Sequence, residues 1–301
     1  MSGHGIPGGS NPADAASTDP AGPRTGAPQG PAIPVADVEG WWRTGITRIA
    51  PGEIDLRGYA VADLIGEASF VDTVWLMLRG EVPGPEESAL LEAALVASVD
   101  HGPQAPSIAA ARMAATCGTG LNNAVATGVN LLGDVHGGAG QQCMEVLADL
   151  VRRAAEREDP AEAARYIVAR YRAEKRYVPG FGHRFHPRDP RRDPLLGLVE
   201  RAAAAGAVPG AHLAAGLALE AALAEGRERP VPMNIDGATA VVYGELGFAP
   251  ELGRGLFVLS RSVGILAHAW EERQSGARIK GPIPRPLRAT YTGPAPRPYP
   301  S

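Results

Sequence analysis

Residues 85–118 read PEESALLEAALVASVDHGPQAPSIAAARMAATCG, a stretch that indicates two helices separated by a short polar break. The apolar residues of its first half recur at helical spacing behind an acidic first turn: Leu90, Leu91, Ala94, Leu95 and Val99. His101-Gly102-Pro103 ends this helix near Asp100, because glycine and proline interrupt helical backbone. Ser107 is expected to cap the second helix, which ends near Gly118.

Helices of the same kind fill most of the remaining chain. Apolar periodicity bounded by Gly, Pro, Asp or Asn predicts further helices at residues 121–132, 140–157, 160–176, 210–225, 238–247 and 251–275. The strand signal is limited to residues 44–49 and 53–56, which flank Pro51-Gly52 and predict a hairpin. Because strands and helices do not alternate, a doubly wound parallel sheet is disfavoured. The sequence therefore predicts an all-α fold with a minor N-terminal β-hairpin.

Composition and charge exclude several classes of protein. The formal net charge is −4, the pI is about 6.0 and no block of five or more like charges occurs, so no nucleic acid is expected as a partner. Cys117 and Cys143 are too few for a disulfide framework, and no stretch is apolar enough for a membrane span. We therefore expect a cytoplasmic protein without membrane attachment. Residues 1–34 contain seven Gly, seven Pro and no aromatic residue, which predicts a disordered tail.

Ionisable residues concentrate in four breaks between the predicted helices, where a scaffold commonly displays reactive groups. These breaks are residues 100–103, 133–139, 179–191 and 232–237. Each has a structural interpretation as well as a functional one. His136 precedes a Gly-Gly pair and could simply end a helix, and Asp236 is placed where a helix N-cap would be.

Metal binding is not expected from the histidines of this chain. His183, His186 and Asp189 could be considered as ligands, but the neighbouring arginines would repel a cation, so the predicted metal set is empty. His212 and His268 lie within predicted helices, and we interpret both as packing or surface residues.

Taken together, the breaks suit the enolisation of a thioester and its addition to a keto acid, or the reverse reaction. The α proton of an acyl-CoA is weakly acidic, so a base such as Asp236 must remove it while a donor stabilises the enolate oxygen. His136 could be that donor, as a neutral ring, if it opens the helix near Ala139. His183 would polarise the keto carbonyl, and arginines would bind carboxylates through forked hydrogen bonds.

The order and spacing of these motifs resemble the citrate synthase superfamily, and within it the citryl-CoA lyase branch and the C-terminal part of ATP-citrate lyase. The matching runs extend from about residue 40 to 293: 58–59, 63–66, 69–70, 100–103, 106–107, 136–139, 179–184, 189–191, 234–237, 260–261, 264 and 267–268.

The resemblance implies a citrate-synthase-like all-α homodimer with a large helical domain interrupted by a smaller one. The large domain would comprise residues 35–137 and 232–285 and the small domain residues 138–231, followed by an extended C-terminal arm at 286–301. The substrates would be an acyl-CoA, such as acetyl-CoA, and a keto acid, such as oxaloacetate. Coenzyme A enters as part of the thioester substrate, and no permanently bound cofactor is expected.

The resemblance also implies roles for individual residues. His136, His183 and Asp236 would be the enolate stabiliser, the carbonyl polariser and the base. The residues expected to contact substrate carboxylates are His101, Arg191, Arg261 and Arg285, the last in the partner's site, with Arg278 and Arg288 as alternatives to Arg285. The loop expected to pack against the CoA adenine consists of Val178, Pro179, Gly180, Phe181 and Gly182.

The direction of the reaction is left open by the sequence. Citrate synthases have an aromatic residue directly after the catalytic aspartate, whereas this chain has Gly237, as lyases do. We therefore favour citryl-CoA cleavage, with citrate or 2-methylcitrate synthesis followed by thioester hydrolysis as the alternative. A catalytically silent CoA-binding homologue is an alternative of another class, and a helical interaction scaffold would leave His136, His183 and Asp236 far apart.

Overall fold

The fold is described from a computed structural model for residues 38, 40–156, 159–182, 187–284 and 286–300. The helices are α1 (Val61–Leu64), α2 (Phe70–Arg79), α3 (Pro85–Ser98), α4 (Pro106–Thr116), α5 (Leu121–Val129), α6 (Ala139–Ala155), α7 (Pro160–Ala173), α8 (Arg192–Ala204), α9 (Ala211–Ala224), α10 (Ile235–Glu245) and α11 (Pro250–Gln274). This arrangement confirms the predicted all-α fold. The predicted disordered tail, residues 1–34, lies outside the described residues.

The N-terminal hairpin is confirmed with one addition. Strands β1 (Thr47–Ala50) and β2 (Glu53–Leu56) pair antiparallel, with Thr47 opposite Leu56 and Ala50 opposite Glu53. A third strand, β3 (Tyr59–Ala60), extends the sheet in the order β1-β2-β3. The sheet therefore remains a small attachment to a helical body.

The start of α4 differs from the prediction. Pro106 is the first helical residue, and the N-cap is Ala105 rather than Ser107. Proline fits this position because its φ is already helical and its missing N–H would have no intrahelical partner there. Ser107 thus lies inside the first turn, where its side chain bonds to His136 instead of capping the helix.

Three helices are absent from the predicted set: the single-turn α1, α2 and α8. Helix α2 begins at a capping box in which Ser69 Oγ accepts the N–H of Asp72 at 3.0 Å and Asp72 Oδ2 accepts the N–H of Ser69 at 3.1 Å. Helix α8 follows the Asp-Pro-Arg run at residues 189–191. The short polar turns at both starts concealed the apolar pattern behind them.

One main hydrophobic core joins helices from both sides of the predicted domain boundary. Large buried members come from α2, α3, α6, α7, α8 and α9: Trp75, Leu91, Leu147, Ile167, Val199 and Leu219. Helix α10 runs through this core, and nine of its eleven residues are buried. A smaller core packs α4 and α5 against α11 through Ile108, Ala124 and Ile265. The division into residues 138–231 and the remainder stays a prediction.

The segment after α11 is attached to α4. Ile279 N and Lys280 N donate to the backbone oxygen and Oγ1 of Thr116 at 3.1 and 3.0 Å. Residues 286–300 contain no helix or strand and are exposed. Within the described part of the chain, every helix is too short or too polar to span a membrane.

Candidate active site

Four of the predicted site residues line one small cavity. It has a volume of about 90 Å³, and its walls are Ser98, His101, His136, Gly137, Ile235, Asp236, Phe257 and Arg261. These residues come from the end of α3 and the turn after it, the loop before α6, the start of α10 and the middle of α11. The structure thus brings His101, His136, Asp236 and Arg261 together, whereas His183 and Arg285 lie outside the described residues.

Asp236 is not the N-cap of α10. That position belongs to Asn234, whose Oδ1 accepts the N–H of Asp236 at 2.9 Å and that of Gly237 at 3.3 Å. The asparagine therefore satisfies the helix start, and the Asp236 carboxyl group is left to line the cavity. Burial raises the pKa of Asp236, although the positive charges of Arg261 and Arg191 oppose the shift.

The hydrogen bonds of His136 define its tautomer. Its Nε2 accepts the backbone N–H of Ser107 at 3.2 Å and lies 3.0 Å from Ser107 Oγ. A backbone N–H can only donate, so Nε2 carries no proton and Nδ1 is the N–H donor of the ring. Burial lowers the pKa of His136, and the charge of Arg261 lowers it further, so the ring is neutral.

Arg261 is the buried cation of the cavity. Its Nε donates to the backbone oxygen of Ser98 at 3.1 Å, and its guanidinium lies 4.8 Å from the centre of the Phe257 ring. Burial lowers the pKa of Arg261, and the charges of Asp236 and Asp100 counteract this. Arginine stays protonated in proteins, so the cavity contains a fixed positive charge.

Arg191 lies beside this cavity without lining it. Its Nε and Nη2 donate to the two carboxylate oxygens of Asp189, each at 2.9 Å. Asp189 Oδ2 also accepts the N–H of Ile235 at 3.0 Å, at the start of α10. Burial would raise the pKa of Asp189, but these donors lower it to about 2. The Asp189–Arg191 pair is therefore fixed against the helix that carries Asp236.

The loop at residues 178–182 packs against the segment before α10. Gly182 N donates to Pro232 O at 2.7 Å, Asn234 N to Gly180 O at 3.0 Å and Asn234 Nδ2 to Gly182 O at 2.7 Å. At Gly237 an added Cβ would lie 2.5 Å from Met233 Cγ and closer still to Gly180 O. This packing leaves no room for an aromatic side chain after Asp236.

A second cavity opens on the other side of that loop. Its volume is about 200 Å³, and Val178, Phe181 and Gly182 form one wall. The remaining walls come from α7, the end of α9 and the segments that follow these two helices, and they include three arginines, Arg172, Arg176 and Arg227. An apolar slot bordered by several cations is suited to a planar ring attached to phosphates.

Comparison with known proteins identifies the family. The family model described as citrate synthase, C-terminal domain, matches residues 77–287. The chain belongs to the citrate synthase family.

Members of this family with known structures share the helical architecture. The structure of citryl-CoA lyase from Hydrogenobacter thermophilus is 34% identical, covers 86% of this chain and 97% of that chain, and has a TM-score of 0.76. The citrate synthase of Thermotoga maritima MSB8 is 26% identical, with a TM-score of 0.59 over 77% of this chain and 60% of that one. The citrate synthase of Haloferax volcanii is 32% identical over 72% of this chain. The chain spans only 53% of the length of that synthase.

Some residues in and around the 90 Å³ cavity could not be assigned to the site from the sequence. Ser107 is part of the run at 106–107, but its residue type indicates a helix cap. Ser98 and Phe257 carry no local signal, because their place in the cavity depends on how α3 and α11 pack. Asn234 could have been recognised, since Asn two residues before an aspartate competes with it as the N-cap.

Proposed function

We propose that this chain catalyses the reversible cleavage of citryl-CoA to acetyl-CoA and oxaloacetate. The observation that supports the proposal is the arrangement of one cavity: a buried carboxyl group with raised pKa, a neutral imidazole with its proton on Nδ1 and a buried arginine. The 34% identity to a citryl-CoA lyase over nearly the full length of that protein points in the same direction.

His136 would stabilise the enolate. When the C–C bond of citryl-CoA breaks, the electron pair moves onto the acetyl fragment, and negative charge develops on its thioester oxygen. The Nδ1–H of His136 would donate to that oxygen, which is worth most in a site that excludes water. The neutral form of His136 suits this role. Its Nε2 accepts the N–H of Ser107, so the ring proton is on Nδ1, where it would donate to the enolate oxygen.

Asp236 would transfer the proton at carbon. In cleavage, the citryl hydroxyl gives its proton to His183 as the keto carbonyl forms, and protonated Asp236 gives its proton to the enolate carbon to complete acetyl-CoA. In condensation, the carboxylate form of Asp236 removes the same proton. Burial raises the pKa of Asp236, which makes its protonated form more accessible than that of an ordinary aspartate, and cleavage requires this form.

The remaining site residues would bind the ends of the substrates. We propose that His101, Arg261 and Arg191 contact the carboxylates of the citryl group, together with Arg285 of a partner subunit. The loop at 178–182 and the second cavity would receive the adenosine end of CoA, with Arg172, Arg176 and Arg227 near its phosphates. The site would then lie between residues 138–231 and the larger remainder.

A homodimer is supported by an unpaired apolar stripe on α11. Leu259, Val263, Leu266 and Trp270 are exposed and follow one another at steps of four, three and four residues. This spacing is typical of a helix that packs against another helix. We propose that a second copy covers this stripe.

A cytoplasmic location is supported by the two cysteines, which are both free.

The test is to incubate the protein with citryl-CoA and to identify the products by mass. Formation of acetyl-CoA and oxaloacetate is expected, and Asp236→Asn should abolish turnover while leaving the Kd for CoA nearly unchanged. Glu228→Gln, an exposed change outside the site, is the control. Full activity of Asp236→Asn would refute the assignment of the proton to this group.

Synthesis of citrate or 2-methylcitrate is the second candidate, because citrate synthases are among the relatives. It requires hydrolysis of the thioester after condensation. Acetyl-CoA and oxaloacetate, or propionyl-CoA and oxaloacetate, would then release free CoA, which a thiol reagent detects. The absence of free CoA, with citryl-CoA as the product, would favour the lyase. A homologue that only binds CoA would show neither reaction.

A further inference from the structure

One face of α11 is fitted along the end of α3 and the turn that carries His101. Ser260 Oγ donates to Leu95 O at 2.5 Å, and Arg261 Nε donates to Ser98 O at 3.1 Å. At Gly264 an added Cβ would lie 2.8 Å from Asp100 Oδ1 and closer still to Val99 O. One turn further on, His268 Nε2 lies 3.3 Å from Oδ1 and 3.4 Å from Oδ2 of Asp100.

His268 donates to Asp100 through a defined tautomer. Its Nδ1 lies 3.4 Å from Arg112 Nη1. A guanidinium can only donate, so Nδ1 is the acceptor and the ring proton is on Nε2, facing the carboxylate. Arg112 is fixed in turn, because its Nε donates to the buried carboxylate of Glu272 at 2.5 Å, which also binds Lys280 Nζ at 2.9 Å.

Asp100 transmits this anchorage to the cavity. Its Oδ2 accepts the N–H of Gly102 at 3.1 Å, so the carboxylate closes the turn in which His101 is the central residue. Gly102 has a φ of 80°, a conformation that favours glycine. His101 lines the 90 Å³ cavity. The negative charge of Asp100 also raises the pKa of Arg261 in that cavity, against the effect of burial.

We propose that His268 is a positioning residue that acts through Asp100 to hold His101 at the wall of the cavity and so sets affinity for the keto acid. A packing or surface residue at this position would have no effect on the affinity for one substrate over the other. The inference rests on the proposed function where it names the keto acid. The positioning role is argued from a chain of contacts alone. It runs from Lys280 and Arg112 at Glu272, through Arg112 to His268, and from His268 to Asp100.

The test compares His268→Phe, which keeps the ring volume but removes the donor, with His268→Gln, whose amide N–H can still reach Asp100. For His268→Phe, the KM for oxaloacetate in the condensation reaction should rise about tenfold, the usual cost of one hydrogen bond to a charged group. The KM for acetyl-CoA and kcat should stay within about threefold, and His268→Gln should stay within about threefold in all three constants.

Glu251→Gln is the matched control, because Glu251 is exposed in the first turn of the same helix, several turns away from His268. It should behave as wild type. An unchanged KM for oxaloacetate in His268→Phe would overturn the proposal. A fall in kcat together with equal rises in both KM values would also overturn it, and so would a His268→Gln variant as defective as His268→Phe. Circular dichroism melting identifies a variant that does not fold, and in that case His268→Gln alone decides.

Hydrogen exchange separates this inference from the proposed function. In His268→Phe, and not in Glu251→Gln, the amides of residues 101, 102, 104 and 105 should exchange at least several-fold faster, because the turn loses its support. This readout requires no turnover. If wild-type protein neither makes nor cleaves citryl-CoA, the proposed function fails, and the exchange rates still decide whether His268 holds the turn. Unchanged exchange would overturn the positioning role itself.

Discussion

Replacing Gly237 with alanine is expected to destabilise the protein and to weaken its affinity for a CoA thioester. An alanine Cβ would meet Met233 Cγ at 2.5 Å and approach Gly180 O more closely. That oxygen belongs to the backbone and already accepts the N–H of Asn234 at 3.0 Å. Relief of the overlap therefore requires the loop at 178–182 to move away from α10.

The size of the effect follows from this overlap. Overpacking a filled interior costs about 1–3 kcal/mol, which should lower the Tm of a chain of this size by roughly 2–6 °C. The displaced loop forms one wall of the 200 Å³ cavity. Consequently, the KM for citryl-CoA or acetyl-CoA should rise. The KM for oxaloacetate, which we propose to bind in the 90 Å³ cavity lined by Ile235 and Asp236, should change less.

The assay combines differential scanning calorimetry with steady-state kinetics. Gly255→Ala is the matched control, because Gly255 also lies within a helix and an added Cβ there would meet no atom within 4 Å. Helix propensity alone should stabilise that variant by about 0.5–1 kcal/mol. If Gly237→Ala melted at or above the wild-type temperature with an unchanged KM for the thioester, the close packing of Gly237 against Gly180 would be refuted.

Two further predictions concern stability. Glu245 accepts the N–H of Gly210 at 2.7 Å and that of Leu213 at 2.9 Å, at the start of α9. Glu245→Gln should lower the free energy of unfolding in urea by about 1–3 kcal/mol, while exposed Glu228→Gln should not; equal values would contradict the cap. The pKa of Asp189 is lowered to about 2, whereas an unfolded aspartate has a pKa of roughly 3.9. Its contribution to the free energy of unfolding is therefore complete above about pH 4 and is lost as the pH falls towards 2. The wild-type urea midpoint should fall over that window more steeply than that of Asp189→Asn, and parallel curves would contradict this.

The fold class could be predicted because most helices carry a one-sided apolar pattern. Helix α10 shows where that signal weakens: it is buried on nearly every side, so its boundaries could not be located from periodicity, and the prediction began three residues late, at 238 instead of Ile235. Helices α2 and α8 were missed because the residues at their starts resemble loops. The run Gly66 to Ser69 precedes α2, and α8 opens with Arg192, Asp193 and Pro194.

The candidate site could be predicted in part because its reactive residues lie in breaks. His101, His136 and Asp236 were found this way, and Arg261 through the family motif. The interpretation of Ser107 as a cap was wrong, because the direction of a side chain near a helix start depends on what packs beside it. The cap of α4 is Ala105, and the helix starts at Pro106, two residues earlier than a cap at Ser107 would place it. His268 has no sequence neighbour that would indicate Asp100.

The group that fixes the proton of His136 on Nδ1 is a main-chain amide, that of Ser107. Every amino acid except proline supplies this amide, so residue 107 can vary in evolution without altering the tautomer of the imidazole. The protonation pattern of the site is thus encoded by the path of the backbone, which is harder to lose through point mutation than a side chain would be.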